Sequence, residues 1–293
     1  MTLTELITRL SACGIENAAD EARLLVAHVT GIDPTTLRAT PHAPIPDPDG
    51  RLAALAVRRE AREPLQYLLG TWGFWRQEYE VSPDCLIPRA DTECLVDYAV
   101  RHLPKGARVL DLCTGSGCIA ISLLCERPDL TAVAVELYEN TLAVAKRNAV
   151  RNGVGAERLT FLQGDVLRGD FLDGIGTFDA ILSNPPYIPS ATVATLAPEL
   201  AFEPHAALDG GEDGLAFYRR ILQSDYRTVL RENGFFAFEI GYDQGDALRS
   251  LAGEDPCEIL RDLGGCDRVA LITPHAYNGE TAPTIKTIQG DNT

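Results

Sequence analysis

The sequence carries no zinc signature. Its eight cysteines never stand as Cys-x-x-Cys and its five histidines are scattered, so no metal is expected. Those cysteines read as reduced thiols of a cytosolic protein rather than as a disulfide framework. No run of about 18 apolar residues occurs, so no membrane span is expected. The opening Met-Thr-Leu-Thr-Glu-Leu lacks the basic and apolar regions of an export signal, and the expected location is the cytoplasm. Basic residues are also scarce. The 26 Lys and Arg face 42 Asp and Glu, a net charge of −16. Nucleic-acid affinity rests largely on Lys and Arg contacts to phosphate, so direct nucleic-acid binding is not expected. An acidic surface suits encounter with a basic protein partner, or solubility alone. No internal repeat is present.

What is present begins with residues 178–187, Phe-Asp-Ala-Ile-Leu-Ser-Asn-Pro-Pro-Tyr. A short apolar run closed by proline suits an inner strand of a parallel sheet. Pro185 and Pro186 have no N–H and forbid further ladder pairing. In open α/β sheets ligands bind beyond the carboxyl ends of strands, which is where Asn184 and Tyr187 then stand. The Asn184 side-chain carbonyl and the Pro185 carbonyl are two neighbouring acceptors, a match for a planar NH2 group with two protons to give. The Tyr187 ring can pack on the same planar group. A lone Asn-Pro is usually only a strand-ending turn. The four residues together, after an apolar strand, read as a grip for an amide or an exocyclic amine. Such a nitrogen is a weak nucleophile and needs an electrophile held close to it.

Residues 106–126 read Gly-Ala-Arg-Val-Leu-Asp-Leu-Cys-Thr-Gly-Ser-Gly-Cys-Ile-Ala-Ile-Ser-Leu-Leu-Cys-Glu. They predict a strand over 108–112, a tight turn over 113–117 and a helix over 118–127. Gly115 and Gly117 let a ligand approach the backbone. A second strand over 131–135 ends in Glu136, an acceptor placed for a ribose diol. A dinucleotide fold would carry Gly-x-Gly-x-x-Gly, with pyrophosphate at the helix N-terminus. The third glycine is absent here, and Asp111 at the strand end would repel pyrophosphate. Asp111 suits a cofactor with a cationic centre and an amino group, and S-adenosylmethionine has both. The order Asp111, Gly115, Gly117, Glu136, Asp165, then 184–187 points to a methyltransferase.

On these residues the chain resembles amino-methyltransferases acting on adenine, cytosine or glutamine. Two further stretches narrow the likeness: Ile87-Pro88-Arg89-Ala90-Asp91-Thr92-Glu93 and Phe202-Glu203-Pro204-His205-Ala206-Ala207-Leu208-Asp209-Gly210-Gly211-Glu212-Asp213-Gly214-Leu215. Both are similar to the bacterial protein-(glutamine-N5) methyltransferases of the HemK/PrmC family, which modify peptide chain release factors. The likeness is specific from about residue 65 to 272 and looser before that. It implies an α/β fold: a Rossmann-like S-adenosylmethionine-dependent methyltransferase domain, a small N-terminal helical domain and a linking β-hairpin. It implies as substrate the glutamine of the Gly-Gly-Gln loop of class 1 release factors. Asn184, Pro185, Pro186 and Tyr187 would form the substrate wall, with Arg89 and Glu93 at its entrance. Asp111, Cys113, Thr114, Gly115, Ser116 and Gly117 would cradle the methionine end of the cofactor. Glu136 would take its ribose, Asp165 and Val166 its adenine, and Asn184 would stand where cofactor and substrate meet. Several positions depart from the family pattern. Cys113 replaces the usual glycine, Glu136 the commoner aspartate and Ala90 the usual proline, and Val166 stands where some members place an aromatic. A sibling enzyme acting on a ribosomal-protein glutamine, a nucleic-acid N6-adenine methyltransferase, and a silent binding module on the same scaffold are the alternatives. Charge opposes the second, and the intact 184–187 motif opposes the third.

Along the chain, residues 1–64 read as short helices for substrate docking, 65–85 as a β-hairpin linker, 86–273 as the methyltransferase domain and 274–293 as a flexible tail. The chain is expected to be a monomer. Arg58, Arg59 and Arg62 read as complements to a helix C-terminus, with a partner contact as the secondary reading. The aromatics of 66–82 read as linker packing or a groove for the target loop. Residues 94–103, 140–152 and 215–230 are expected to be helical, and 235–240 with 268–272 a late antiparallel hairpin. Arg89 and Glu93, four apart, also fit an intrahelical pair. The acidic turn 209–213 with His205 reads as structural support for a lid.

Overall fold

The computed structural model describes residues 1–275. Apolar residues at helical spacing build the first lobe: α1 (Leu3–Ala12), α2 (Ala18–Thr30), α3 (Pro34–Ala39), α4 (Arg51–Glu60) and α5 (Leu65–Leu69). Thr2 and Glu5 exchange side-chain and backbone hydrogen bonds in a capping box that starts α1. Gly31, at φ 70, ends α2 in the left-handed region. Leu6, Leu10, Ala22, Leu25 and Leu52, each fully buried, join one core across these helices. The sequence reading missed α3, and α5 lies at the head of the segment read as a hairpin.

The hairpin itself is shorter, β1 (Thr71–Phe74) with β2 (Gln77–Glu80), paired antiparallel. Tyr67, Phe74 and Tyr79 are buried. Tyr67 donates to the Cys85 carbonyl at 2.7 Å, and the Tyr79 hydroxyl lies 2.6 Å from Ser122 Oγ. Linker packing is therefore their role. The Arg58–Glu63 pair closes locally, whereas Arg59 is buried, 4% exposed, and bridges Glu21 and Glu199. Arg62 also reaches Glu199, at 2.7 Å. These two arginines tie the helical lobe to the rest of the chain; they are neither free for a partner nor simple complements to a helix end.

The second lobe continues with α6 (Glu93–His102), β3 (Arg108–Leu112), α7 (Cys118–Glu126), β4 (Thr131–Glu136), α8 (Glu139–Arg151), β5 (Leu159–Gln163), β6 (Phe178–Ser183) and α9 (Ser190–Val193). After α10 (Ala216–Leu222) come β7 (Leu230–Glu239), α11 (Gly245–Ala252), β8 (Cys257–Arg261) and β9 (Asp267–Ile272). The sheet runs β5-β4-β3-β6-β7-β9-β8. It is parallel from β5 through β7, while β9 is antiparallel to both neighbours. Alternate strand residues feed two cores: Val109, Ala134 and Leu182 enter one, Leu110, Val135 and Ile181 the other. The strand order turns back at β3, so the crevice between β3 and β6 is the topological switch point.

Two expectations need correction. The helix expected over 215–230 stops at Leu222; a 3-10 turn, Asp225–Val229, follows and Leu230 already starts β7. The Ser224 hydroxyl donates to the Arg220 carbonyl, and the turn buries Tyr226, whose hydroxyl donates to the Val166 carbonyl. Residues 236–239 pair antiparallel with 269–272 as expected, but α11 and β8 intervene, so the directly connected hairpin is β8–β9. Cys257–Arg261 is only half-buried, so its apolar signal is weak. The segment read as a flexible tail lies, from residue 276 on, outside the described residues.

Candidate active site

The strand ends of β3, β4 and β6 open into one cavity of about 460 Å³. Of the residues named from the sequence, Cys113, Thr114, Gly115, Ser116, Glu136, Asp165, Val166, Asn184, Pro186 and Arg89 line it. The loop 113–117 leaves β3 by three residues with positive φ: Cys113 at 57°, Gly115 at 56° and Gly117 at 82°. Cys113 thus adopts the left-handed conformation that favours glycine, the residue the resemblance leads one to expect there. A Cβ on Gly117 would lie 2.7 Å from Ile121 Cδ1, so this glycine also permits loop and helix to pack. Asn148 on α8, fully buried, holds the loop from behind, donating to the Ser116 carbonyl at 2.9 Å and accepting the Glu80 amide at 2.6 Å. The sequence reading missed it; its only trace is a polar residue at helical spacing among Leu142, Val144, Ala145 and Ala149.

Glu136 ends β4 with one oxygen accepting the Gly115 amide at 3.0 Å and the other the Leu137 and Tyr138 amides at 2.9 and 3.3 Å. Burial pushes its carboxyl up, and these three backbone donors oppose that. The carboxylate therefore shapes the loop as well as facing the cavity. Asp111 lies beneath, fully buried, with Thr114 donating to one oxygen at 2.5 Å. Burial raises its carboxyl to about 7, against the Thr114 hydrogen bond. Its other oxygen, Oδ1, and the buried Ser116 Oγ find no partner among the described residues. Unpaired buried polar atoms are costly, and of these two residues only Ser116 lines the cavity, where a bound polar group would meet it. Asp165 turns its carboxylate onto the Leu167 amide at 2.8 Å. Glu136 and Asp165 on the wall, with Asp111 beneath the loop, make an acidic site that fits S-adenosylmethionine, whose amino and sulfonium groups are cationic.

Asn184 follows the last residue of β6, where the Ser183 hydroxyl donates to the Leu112 carbonyl at 2.6 Å and ties β6 to β3. Its Nδ2 donates to Thr92 Oγ1 at 3.1 Å. No hydrogen bond among the described residues takes Asn184 Oδ1 or the Pro185 carbonyl. Thr92 Oγ1 lies 2.5 Å from Glu239 Oε2, and the Tyr187 hydroxyl donates to Glu239 Oε1 at 3.3 Å. Burial raises Glu239 to about 7; the Thr92 hydrogen bond and the charge of Arg268 oppose the rise. Burial, then the Glu239 charge, pushes the Tyr187 phenol up.

The remaining named residues do not line the cavity. Tyr187 stands behind the wall, held by Glu239 and by Gln244 Nε2 on its carbonyl at 3.0 Å, so its ring does not face the cavity as expected. Pro185 is buried beside it. Asp111 and Gly117 sit under the loop. Glu93 is turned away, accepting the Trp75 amide at 2.6 Å, and does not pair with Arg89. Arg89 pairs instead with Glu203, whose other oxygen accepts the Ile87 amide at 3.0 Å. The two stretches that carry the family likeness thus meet through Glu203. Thr92, Glu203 and Glu239 join Asn148 among the site residues that the sequence reading missed.

The segment 208–214 closes over the motif. The Gly210 amide donates to the Ile188 carbonyl at 2.9 Å, and Asp209 takes the Ser190 hydroxyl at 2.6 Å. A Cβ on Gly210 would lie 2.7 Å from the Pro186 carbonyl oxygen. His205 lines the cavity above it.

Comparison with known proteins bears on this arrangement. Residues 2–70 match the family model described as PrmC N-terminal domain, and residues 92–213 that described as Methyltransferase small domain. The release factor glutamine methyltransferase of Rhodospirillum rubrum is 42% identical over 275 residues, covering 92% of this chain and 82% of that protein. Those of Geobacter sulfurreducens and Escherichia coli K12 are 40% and 37% identical, covering 89% and 92% of this chain and 91% and 96% of theirs. The hMettl16 catalytic domain, solved with the MAT2A 3'UTR hairpin 6, superposes with a TM-score of 0.53 at 14% identity over 80% of this chain and 84% of that one, a likeness of fold alone.

Proposed function

The chain belongs to the release factor glutamine methyltransferase family, and we propose that it transfers a methyl group from S-adenosylmethionine to a release-factor glutamine. The target is the side-chain amide nitrogen in the Gly-Gly-Gln loop of class 1 release factors. The enzyme works as a cytosolic monomer, with no nucleic acid in its site. When bound, the cofactor supplies an electrophilic methyl group. Thr114, Gly115 and Ser116 hold its methionine end, Glu136 its ribose, and Asp165 with Val166 its adenine.

The observation that carries the reading is Asn184 Oδ1, on the cavity wall at the end of β6 and free of protein donors among the described residues, with the equally unbonded Pro185 carbonyl next to it in the chain. Each takes one proton of the glutamine NH2, and the nitrogen is held by both hydrogens. That removes rotational freedom before reaction, which in the best intramolecular cases contributes about 7–11 kcal/mol. No strong base is required, because the nitrogen sheds a proton readily once methylated. Tyr187 and Pro186 brace the backbone that carries these acceptors.

Asn184→Ala tests this. Removing a hydrogen-bonding group aimed at the reacting centre costs about 10²–10³ in turnover. A loss of that order is expected in steady-state methylation of release factor, with a smaller change in release-factor binding. Near-normal turnover would reduce the motif to a strand end.

A further inference from the structure

We propose that Thr92 and Glu239 are positioning residues that decide which end of the Asn184 amide faces the substrate. The inference rests on the reading of Asn184 as the group that receives the acceptor amide. A side-chain amide is nearly symmetric in shape, and a half-turn exchanges its acceptor for its donors. Only hydrogen-bond partners tell the two apart. With the acceptor outward, Asn184 receives a proton of the incoming NH2. With the donors outward, two NH2 groups would meet and repel.

The structure holds a device that settles the choice. Thr92 Oγ1 has a single proton, and Glu239 Oε2 lies 2.5 Å from it. In its ionised form Glu239 accepts that proton's hydrogen bond, and Thr92 then accepts on its other side. Asn184 Nδ2, at 3.1 Å, is what it accepts from. Nitrogen is thereby drawn inward and Oδ1 is left toward the cavity. Tyr187 donates to the second Glu239 oxygen at 3.3 Å, so the carboxylate meets two donors. Thr92 and Glu239 are each 1% exposed, which keeps water from competing for these bonds. A buried carboxylate is costly where apolar packing would serve, so a stability role alone does not account for it. The three side chains come from the start of α6, the end of β6 and the end of β7, elements set by the fold before any ligand arrives.

The test is a double-mutant cycle on methyl transfer to release factor. Thr92→Val keeps shape and removes the hydroxyl. Losing one such bond is expected to lower kcat about three- to tenfold, with cofactor affinity by calorimetry unchanged. Thr92→Ser, which keeps the hydroxyl, is expected to recover most of the loss. In an Asn184→Ala background Thr92→Val is expected to add nothing, whereas a merely structural role would cost the same in both backgrounds. Should Thr92→Val not fold, Glu239→Gln serves: it keeps shape but can donate to Thr92, and its loss is likewise expected to vanish with Asn184→Ala. Full turnover in these variants, or equal loss in both backgrounds, would overturn the proposal while leaving the substrate reading intact. Near-normal turnover of Asn184→Ala alone would remove the substrate reading, and this inference with it.

Discussion

Glu239 carries a carboxylate that folding has removed from water, and its titration should mark the stability of the whole chain. Its carboxyl is raised to about 7, first by burial, against the Thr92 hydrogen bond and the charge of Arg268, with Asp91 adding to the rise. An unfolded glutamate titrates near ~4.3. Between those values the folded chain binds more protons than the unfolded one. Stability from this group is therefore full below about 4.3 and is lost as pH rises through about 7. Glu239→Gln removes the titration. Thermal melts from pH 5 to pH 8 are expected to show the variant gaining on the parent protein as pH rises; parallel curves would contradict the shift. At this scale, what the sequence made readable was local. Asn184, Glu136 and the loop 113–117 announce themselves by type and spacing. Thr92 and Glu239 do not, because their meaning is a contact 147 positions apart in the chain. Glu203 and its hold on Ile87, at a separation of 116, were hidden for the same reason.

Elements fared unevenly, and the reason is physical. β3 and β6 are short apolar runs with breakers behind them, and both were readable as strands. β8 is half-buried and α3 has six residues, so neither carries much periodic signal. The 215–230 stretch looks helical by composition, yet burial of Tyr226 takes the chain out of helix. How one element supports another is a matter of backbone approach, as at Gly210. Its added Cβ would lie 2.7 Å from Tyr187 Cα and 2.9 Å from Tyr187 carbonyl carbon, all backbone, so no flexible side chain can yield. Gly210→Ala is expected to push the 186–187 backbone outward and to lower turnover by up to about 10²-fold, the cost of a misplacement near ~1 Å. Gly73→Ala, with nothing within 4 Å of the added carbon, is the control expected to retain activity. Equal rates for the two variants, measured on release factor, would show that the 208–214 segment does not support the motif.

The whole molecule joins an acidic methyl-transfer lobe to a helical lobe, and Arg59 and Arg62 meet Glu199 between them. Neither arginine is free for a partner, so the secondary reading of a partner contact gives way to an internal tie. Among the described residues no helix is long and apolar enough to cross a membrane. A net charge of −16 favours encounter with basic surfaces of a protein and disfavours phosphate backbones. The central claim is that the cavity at the ends of β3, β4 and β6 brings S-adenosylmethionine to a protein glutamine. The most direct measurement incubates the purified chain with labelled S-adenosylmethionine and, in parallel, a class 1 release factor, duplex DNA and RNA, then maps the label by peptide and nucleoside mass spectrometry. One methyl on the Gly-Gly-Gln glutamine amide, with the nucleic acids unmarked, is the expected result. Label in adenine, or an unmodified release factor beside an active cofactor-binding protein, would contradict it.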